Sequence, residues 1–369
     1  MKRRRPPAGL PFRCPERLAR HRATKGQCGL ERLATIPYHT VGNAFFHYIT
    51  ISCNLSGFPL GYSFTGRRSL LTTGQDKLAT KPYARRKSDI EWTNATWNPL
   101  VGCSLASPGC TNCYAMRQAH RIEAMGMSPA YKGLTKLVNG KPVWTGKVGR
   151  ATNAAMRKPL GVRAGTVFFV NSMSDFFHPD MADAWRDEAY EIMKATPHHT
   201  YQVLTKRPEI AVEYLGRRDR FAELRNVWIG ASVERAQETW RIDALRLVPA
   251  ALRFLSVEPL IARIGPVIDV SGIGWVITGG ESGGDARPVD LEWVREVRDV
   301  CVAEGVPFFH KQWGSWRFNP LVVRDGLTPR EAARRDLDPE AKGGASLDGR
   351  LWRQMPNDLP LAPRRAAKG

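Results

Sequence analysis

From Ser88 onward the chain repeats one pattern: a short, almost purely apolar run stops in polar residue types, and a helical segment often follows. The runs are TVFFVNSMSD (166–175), TYQVLTKRP (200–208), NVWIGASVE (226–234), LRFLSVEPL (252–260), GWVITGGES (274–282) and VPFFHKQWG (306–314). With ATWNPLVGC (95–103) they predict about seven strands. Unbroken Val, Ile, Phe and Leu suit strands covered on both faces, as in a parallel sheet. Between the runs, Trp185, Ala189 and Ile192 recur at helical spacing, as do Leu291, Val294, Val297 and Cys301. Cys301 therefore reads as core. The alternation predicts an α/β protein. Units of roughly 25–30 residues suit a parallel (β/α) barrel, complete or partial and TIM-barrel-like. A doubly wound open sheet is the alternative, although no GxGxxG follows the first run.

Parallel α/β folds place their sites at the C-terminal ends of the strands, where this chain concentrates its polar residues. Ser172 and Asp175 end one run, Thr205, Lys206 and Arg207 the next, and Ser232 and Glu234 the third. Ser256 and Glu258, then Gly279, Gly280, Glu281 and Ser282, and finally His310, Lys311 and Gln312 complete the series. Adjacent cations at Lys206 and Arg207 suit a carboxylate or phosphate, or else structural ion pairs. Asp175 and Glu258 can accept from a ligand ammonium or from those cations, and with them make up the candidate catalytic set. Glycines after a buried strand let a ligand approach the backbone, and Glu281 can accept from an amine or ribose hydroxyls. Ser172, Gly279, Gly280, Glu281, Ser282 and Lys311 are the candidate cofactor-binding residues. The alternative for the glycine stretch is a tight turn with an exposed acid. His178 and His310 read as structural, and His198–His199 precedes a strand on the opposite face. Trp92, Trp97, Trp144 and Trp313 read as core, with stacking on a base or adenine as the alternative.

The first run leads into Cys103, Cys110 and Cys113, six and then two residues apart, ahead of a helix predicted over 114–125. Three thiolates can hold three irons of a [4Fe–4S] cluster and leave the fourth open to a small molecule. Zinc is the alternative, with His120 as a fourth ligand, although only one Cys-x-x-Cys pair is present. The remaining cysteines, Cys14, Cys28 and Cys53, are widely spaced, so no disulfide framework is expected and a reducing cytoplasm is the natural setting.

Composition changes the picture mainly at the N-terminus. The formal net charge is +20, but residues 1–90 hold 17 Lys/Arg against 4 Asp/Glu. Residues 1–87 are expected to be a basic, disordered N-terminal extension, or a stretch added by a start codon assigned too far upstream. The start MKRRRPPAGLPF has the charge but not the long apolar stretch of a signal peptide. With no apolar run of 18 residues, no membrane span is expected. Residues 88–320 are expected to form the barrel, with an inserted loop at about 126–165. Residues 321–369 are expected to pack on it and end in a disordered tail.

The segments SDIEWTNATWNPLVGCSLASPGCTNCYA, VWTGKV, FFVNSMSDFFH, QVLTKRP, NVWIGASVE, RFLSVEPL, WVITGGESGGDARP, PFFHKQWG and LDGRLWRQMP occur in this order between about residues 88 and 356. In them the chain resembles an uncharacterised family of phage-encoded and bacterial proteins with a three-cysteine motif, treated as radical-SAM-like. The wider resemblance is to radical S-adenosylmethionine (SAM) enzymes. Those enzymes space their first two cysteines by three residues, place an aromatic before the third, and carry Gly-Gly-Glu after the second strand. Here the first gap is six with Ser107-Pro108-Gly109 in it, Asn112 precedes Cys113, and Gly279-Gly280-Glu281 follows about the sixth run. The resemblance implies a [4Fe–4S] cluster on Cys103, Cys110 and Cys113 and SAM on the open iron. It further implies cleavage to a 5′-deoxyadenosyl radical and an external electron donor. The phage connection implies a nucleic-acid substrate for modification or repair. The alternative is a zinc-stapled nucleic-acid-binding or interaction protein without turnover.

Overall fold

The computed structural model describes Ser88 and residues 90–222 and 224–356. The expectations for residues 1–87, including Cys14, Cys28 and Cys53, and for the tail after residue 356 lie outside the described residues.

Seven of the apolar runs yield seven strands: β1 (Ala95–Trp97), β2 (Val167–Val170), β3 (Thr200–Thr205), β4 (Val227–Ser232), β5 (Leu252–Val257), β6 (Trp275–Thr278) and β7 (Phe308–His310). They form one sheet in sequential order, each neighbouring pair parallel. Principal helices are α1 (Tyr114–Ala124), α2 (Asp183–Ala195), α3 (Pro208–Gly216), α4 (Trp240–Arg246) and α5 (Leu291–Ala303). A doubly wound sheet reverses its strand order at a switch point, and this sheet does not, so that alternative is set aside.

The strand side chains alternate between two apolar clusters, as a sheet covered on both faces requires. Phe168, Val170, Tyr201, Val203, Ile229 and Leu255 face the helices and pack with Ala189, Ile192, Val294 and Cys301. Phe169, Trp228, Phe254, Trp275, Ile277 and Phe309 face the other way and pack around Trp92. The Trp92 ring lies 4.6 Å from Phe169 on β2 and 6.1 Å from Trp275 on β6. In a flat sheet those strands would stand about 19 Å apart. The sheet is therefore curled into a half-barrel with an aromatic interior. Gly230 makes room for that interior: a Cβ there would sit 2.4 Å from the Phe254 ring. β1 and β7 are the two ends of the sheet, so the barrel is partial. The β7 edge is covered by residues 352–354, where His310 N donates to Trp352 O (2.8 Å) and Gln354 N donates to Phe308 O (3.1 Å).

Two elements differ from the sequence expectation. The run at 95–103 is not one strand. After Trp97 the chain leaves the sheet, and Leu100–Val101 pairs antiparallel with Gly149–Arg150. The segment expected as an inserted loop contains an antiparallel hairpin, Thr135–Val138 with Lys141–Trp144, turning through Asn139 and Gly140 at φ 49° and 73°. The hairpin and α1 share a separate apolar cluster that includes Val101, Met116, Tyr131, Leu134 and Trp144. No helix among the described residues is long and apolar enough to cross a membrane.

Candidate functional site

A cavity of about 440 Å³ opens at the C-terminal ends of the strands, within the size range of small-molecule sites. Every strand contributes to its wall through its last residues or those that follow it. Cys103, Cys110 and Cys113 all line it. So do Ser172 and Asp175 after β2, Lys206 and Arg207 after β3, Glu258 after β5, Glu281 and Ser282 after β6, and Lys311 after β7. Trp92 and Phe169 contribute apolar wall, and Trp144 of the hairpin reaches it from the side.

The cysteine loop is held by three buried ionic anchors. In the first, Asp175 Oδ2 accepts from Arg207 Nη1 (2.8 Å) and Lys206 N (3.1 Å), while its Oδ1 accepts from Thr205 Oγ1 (2.6 Å). Arg207 Nη2 then donates to Ser104 Oγ (2.9 Å), and Ser104 Oγ pairs with His178 Nε2 at 2.7 Å. This chain of contacts fixes the residue beside Cys103. In the second, fully buried Glu234 accepts from Lys206 Nζ, from Ser107 Oγ (2.7 Å) and from Arg241 Nη1 (3.0 Å). In the third, Glu281 and Arg287 form a forked pair with contacts of 2.6 and 2.9 Å. Glu281 Oε2 also accepts from Asn112 Nδ2 (3.0 Å), and Arg287 Nη1 donates to Pro108 O (3.0 Å). Burial works against the Glu281 carboxylate, but the bonds from Arg287 and Asn112 outweigh it and hold the carboxyl below its ordinary range.

These anchors explain the six-residue gap. Ser107-Pro108-Gly109 is a turn seated on Glu234, and a Cβ on Gly109 would lie 2.3 Å from Glu234 Oε1. They also engage several of the expected site residues. Asp175, Arg207 and Glu281 lie in the cavity wall, but their polar atoms hold the loop in place. Among the adjacent cations, the structural ion-pair reading applies. The glycine stretch is closely packed, with Gly280 in the cavity wall. A Cβ on Gly280 would meet Trp313 O at 2.3 Å, and one on Gly279 would meet Glu258 Cδ at 3.0 Å. Both glycines let protein pack on protein, and Gly279 is not part of the cavity wall.

Lys311 Nζ donates to Glu258 Oε1 at 2.7 Å. Burial works against this ammonium, yet the Glu258 carboxylate outweighs it and holds the Lys311 pKa above its ordinary value. Lys206 goes the other way: burial dominates and pushes its pKa down. The negative forms of Cys110 and Cys113 would favour the ammonium. Desolvation pushes the Cys103 thiol up to about 12 and raises Cys113, the latter opposed by amide donors at the start of α1. A metal that takes these thiols must therefore displace their protons.

The fit to a cofactor can be tested on the donor set. The three thiols line one cavity and lie within electrostatic range of one another. Among the described residues, no three His, Cys, Asp or Glu side chains close on a point that would hold a single ion. His120, the expected fourth zinc ligand, pairs with Thr135 Oγ1 at 3.3 Å and is not part of the cavity wall. Three thiolates are a donor set that an iron–sulfur cluster uses, and that zinc uses with a fourth ligand. Polar atoms await partners there too: Asn171 Nδ2 and Oδ1, Gln312 Oε1 and Trp92 Nε1 are buried in the wall without a hydrogen bond from the protein. Asn171, at φ 57°, was not among the expected residues, although its place directly after the FFV of β2 marked it. Arg287, Arg241 and Ser104 were also missed. Buried His310 faces away from the cavity, toward Trp313 at 4.5 Å, and His199 bonds Pro159 O (3.2 Å).

A protein-family model described as "Protein of unknown function (DUF5131)" matches residues 87–356. No curated protein and no solved structure matches the chain.

Proposed function

The chain belongs to the DUF5131 family, whose matched segment includes the whole cavity wall, and we propose that it is a radical-SAM-like iron–sulfur enzyme. One observation carries this reading: three cysteines share a single cavity with the polar ends of the other six parallel strands. A site meant only to staple a fold has no need of that arrangement, whereas catalysis at the end of a parallel barrel does.

Cys103, Cys110 and Cys113 would hold a [4Fe–4S] cluster, and SAM would bind beside it. When bound, this pair supplies one-electron cleavage of SAM and a radical able to abstract a substrate hydrogen, given an external electron donor. The chain's own residues bind, orient and shield. Lys206 and the N-terminus of α1 place positive charge beside the thiolates. The three anchors keep the loop in one conformation. Glu258, Ser172 and Ser282 offer acceptors or hydroxyls for a ligand's polar groups, and Asn171 and Gln312 have buried hydrogen-bonding capacity unspent. The aromatic wall of Trp92 and Phe169 excludes water from the inner end. A reducing cytoplasm would keep the thiols available.

The test is metal analysis of anaerobically purified protein. The expected result is brown protein with about four irons per chain, lost in Cys110→Ala. With SAM and a strong reductant, the loaded protein should release 5′-deoxyadenosine. One zinc per chain and no iron would overturn the reading in favour of a zinc-stapled protein without turnover.

A further inference from the structure

The positive charge of residues 91–369 is concentrated in one segment. Residues 114–165 hold ten Lys/Arg against Glu123 alone. Residues 91–369 together hold 38 Lys/Arg and 31 Asp/Glu, so without this segment they would be slightly acidic. The segment comprises α1 and the hairpin, and both touch the cavity: Cys113 caps α1, and Tyr114 and Trp144 line the wall. The single acid is already engaged, since Glu123 Oε1 accepts from Gly133 N at 2.7 Å. Two cations are paired, Arg150 with Glu188 and Lys141 with Asp285. Arg117, Arg121, Lys132 and Lys136 are exposed and have no ion-pair partner among the described residues.

Apolar groups interleave with these cations. Along the exposed side of α1 run Tyr114, Arg117, Arg121 and Met125, with Tyr114 49% and Met125 59% exposed. On the hairpin, Leu137 and Val138 stand beside Lys136 and are 58% and 44% exposed. Tyr114 is fixed at the cavity rim, where its hydroxyl donates to Ser172 O at 2.6 Å. A row of unpaired cations with a fixed aromatic at its inner end matches a strand of phosphates whose bases are free to stack. An acidic protein would call for shaped pockets rather than flexible lysines on a hairpin, and a duplex would keep its bases out of the cavity.

We propose that α1 and the hairpin form a single-stranded nucleic-acid-binding surface that leads a base past Tyr114 to the cavity. The inference rests on the reading above only for what happens to that base; the binding itself does not need the cluster.

The test uses the full chain and fluorescein-labelled DNA and RNA single strands of the same mixed sequence, about 20 nucleotides long, read by anisotropy. The two probes identify which backbone is preferred. Arg121→Glu/Lys132→Glu/Lys136→Glu should weaken the better probe by roughly 30-fold or more and lower the salt slope by about two. The control Arg330→Glu/Arg334→Glu/Arg335→Glu, on the exposed helix Pro329–Arg335, should bind within about twofold of wild type. Melting temperature and iron content should match wild type in both. Binding unchanged in the first variant, equal loss in the control, or displacement by polyglutamate as effective as by oligonucleotide would each overturn the proposal. Protein that carries zinc and no iron when purified anaerobically, yet binds through these residues, would overturn the enzyme reading and leave this one standing.

Discussion

His310 ends β7 inside the protein, where its Nδ1 lies 3.0 Å from Thr278 Oγ1 and its Nε2 has no hydrogen bond from the protein. Burial pushes its imidazole down to about 3. The unfolded chain binds a proton at about 6.5, so between the two values the unfolded state holds more protons. Stability is therefore full above about pH 6.5 and falls as the pH drops below it. At pH 5 this one group should cost about 2 kcal/mol relative to pH 7, measured by urea unfolding. His310→Gln should show a shallower fall over the same window. The slope should not vanish, because burial also depresses His178 and His199. Equal slopes in wild type and variant would show that His310 is not the neutral, buried group described. Residue type alone suggested a polar strand end; only its direction, away from the cavity, makes it a stability group.

At the scale of elements, the cysteine loop is an inserted turn braced against Glu234, Glu281 and Asp175. Gly109 is where that brace is tightest. Glu234 cannot move aside cheaply, because Lys206, Ser107 and Arg241 all hold it. Gly109→Ala should therefore cost about 1–3 kcal/mol in stability and lower the metal retained after purification. Gly161→Ala, where a Cβ meets nothing within 4 Å, is the control and should do neither. Normal metal content in Gly109→Ala would mean that the loop tolerates displacement from Glu234. The spacing of the cysteines was plain in the sequence. The brace was not, because Glu234, Arg241 and Arg287 come from segments more than a hundred residues away and meet the loop only in the fold. The hairpin at Thr135–Trp144 is a different case. Asn139-Gly140 between apolar runs is a strong local turn signal and was available to read.

For the whole molecule, the aromatic interior links curvature to the site. Trp275 is fully buried, touching Trp92, Trp228, Phe254 and Phe309, and Trp92 in turn lines the cavity. Trp275→Ala should lose about 3–5 kcal/mol in chemical denaturation, because a large ring is removed from a curved, packed face. It should also lower metal retention, although no atom of Trp275 lines the cavity. A variant destabilised to this degree but with full metal content would show that the site tolerates a slackened barrel.

The sequence by itself determined the α/β class, the strand positions, the polar strand ends and the cysteine trio. These follow from local periodicity and from the rule that parallel strands gather their C-terminal ends on one side. It also held the charge imbalance of residues 114–165 in plain view. The tertiary structure decided which polar residues still face the cavity and which have spent their hydrogen bonds on one another. It set the half-barrel's curvature and placed the basic segment at the cavity rim. Those outcomes depend on contacts between residues far apart in the chain, which periodicity and spacing do not encode.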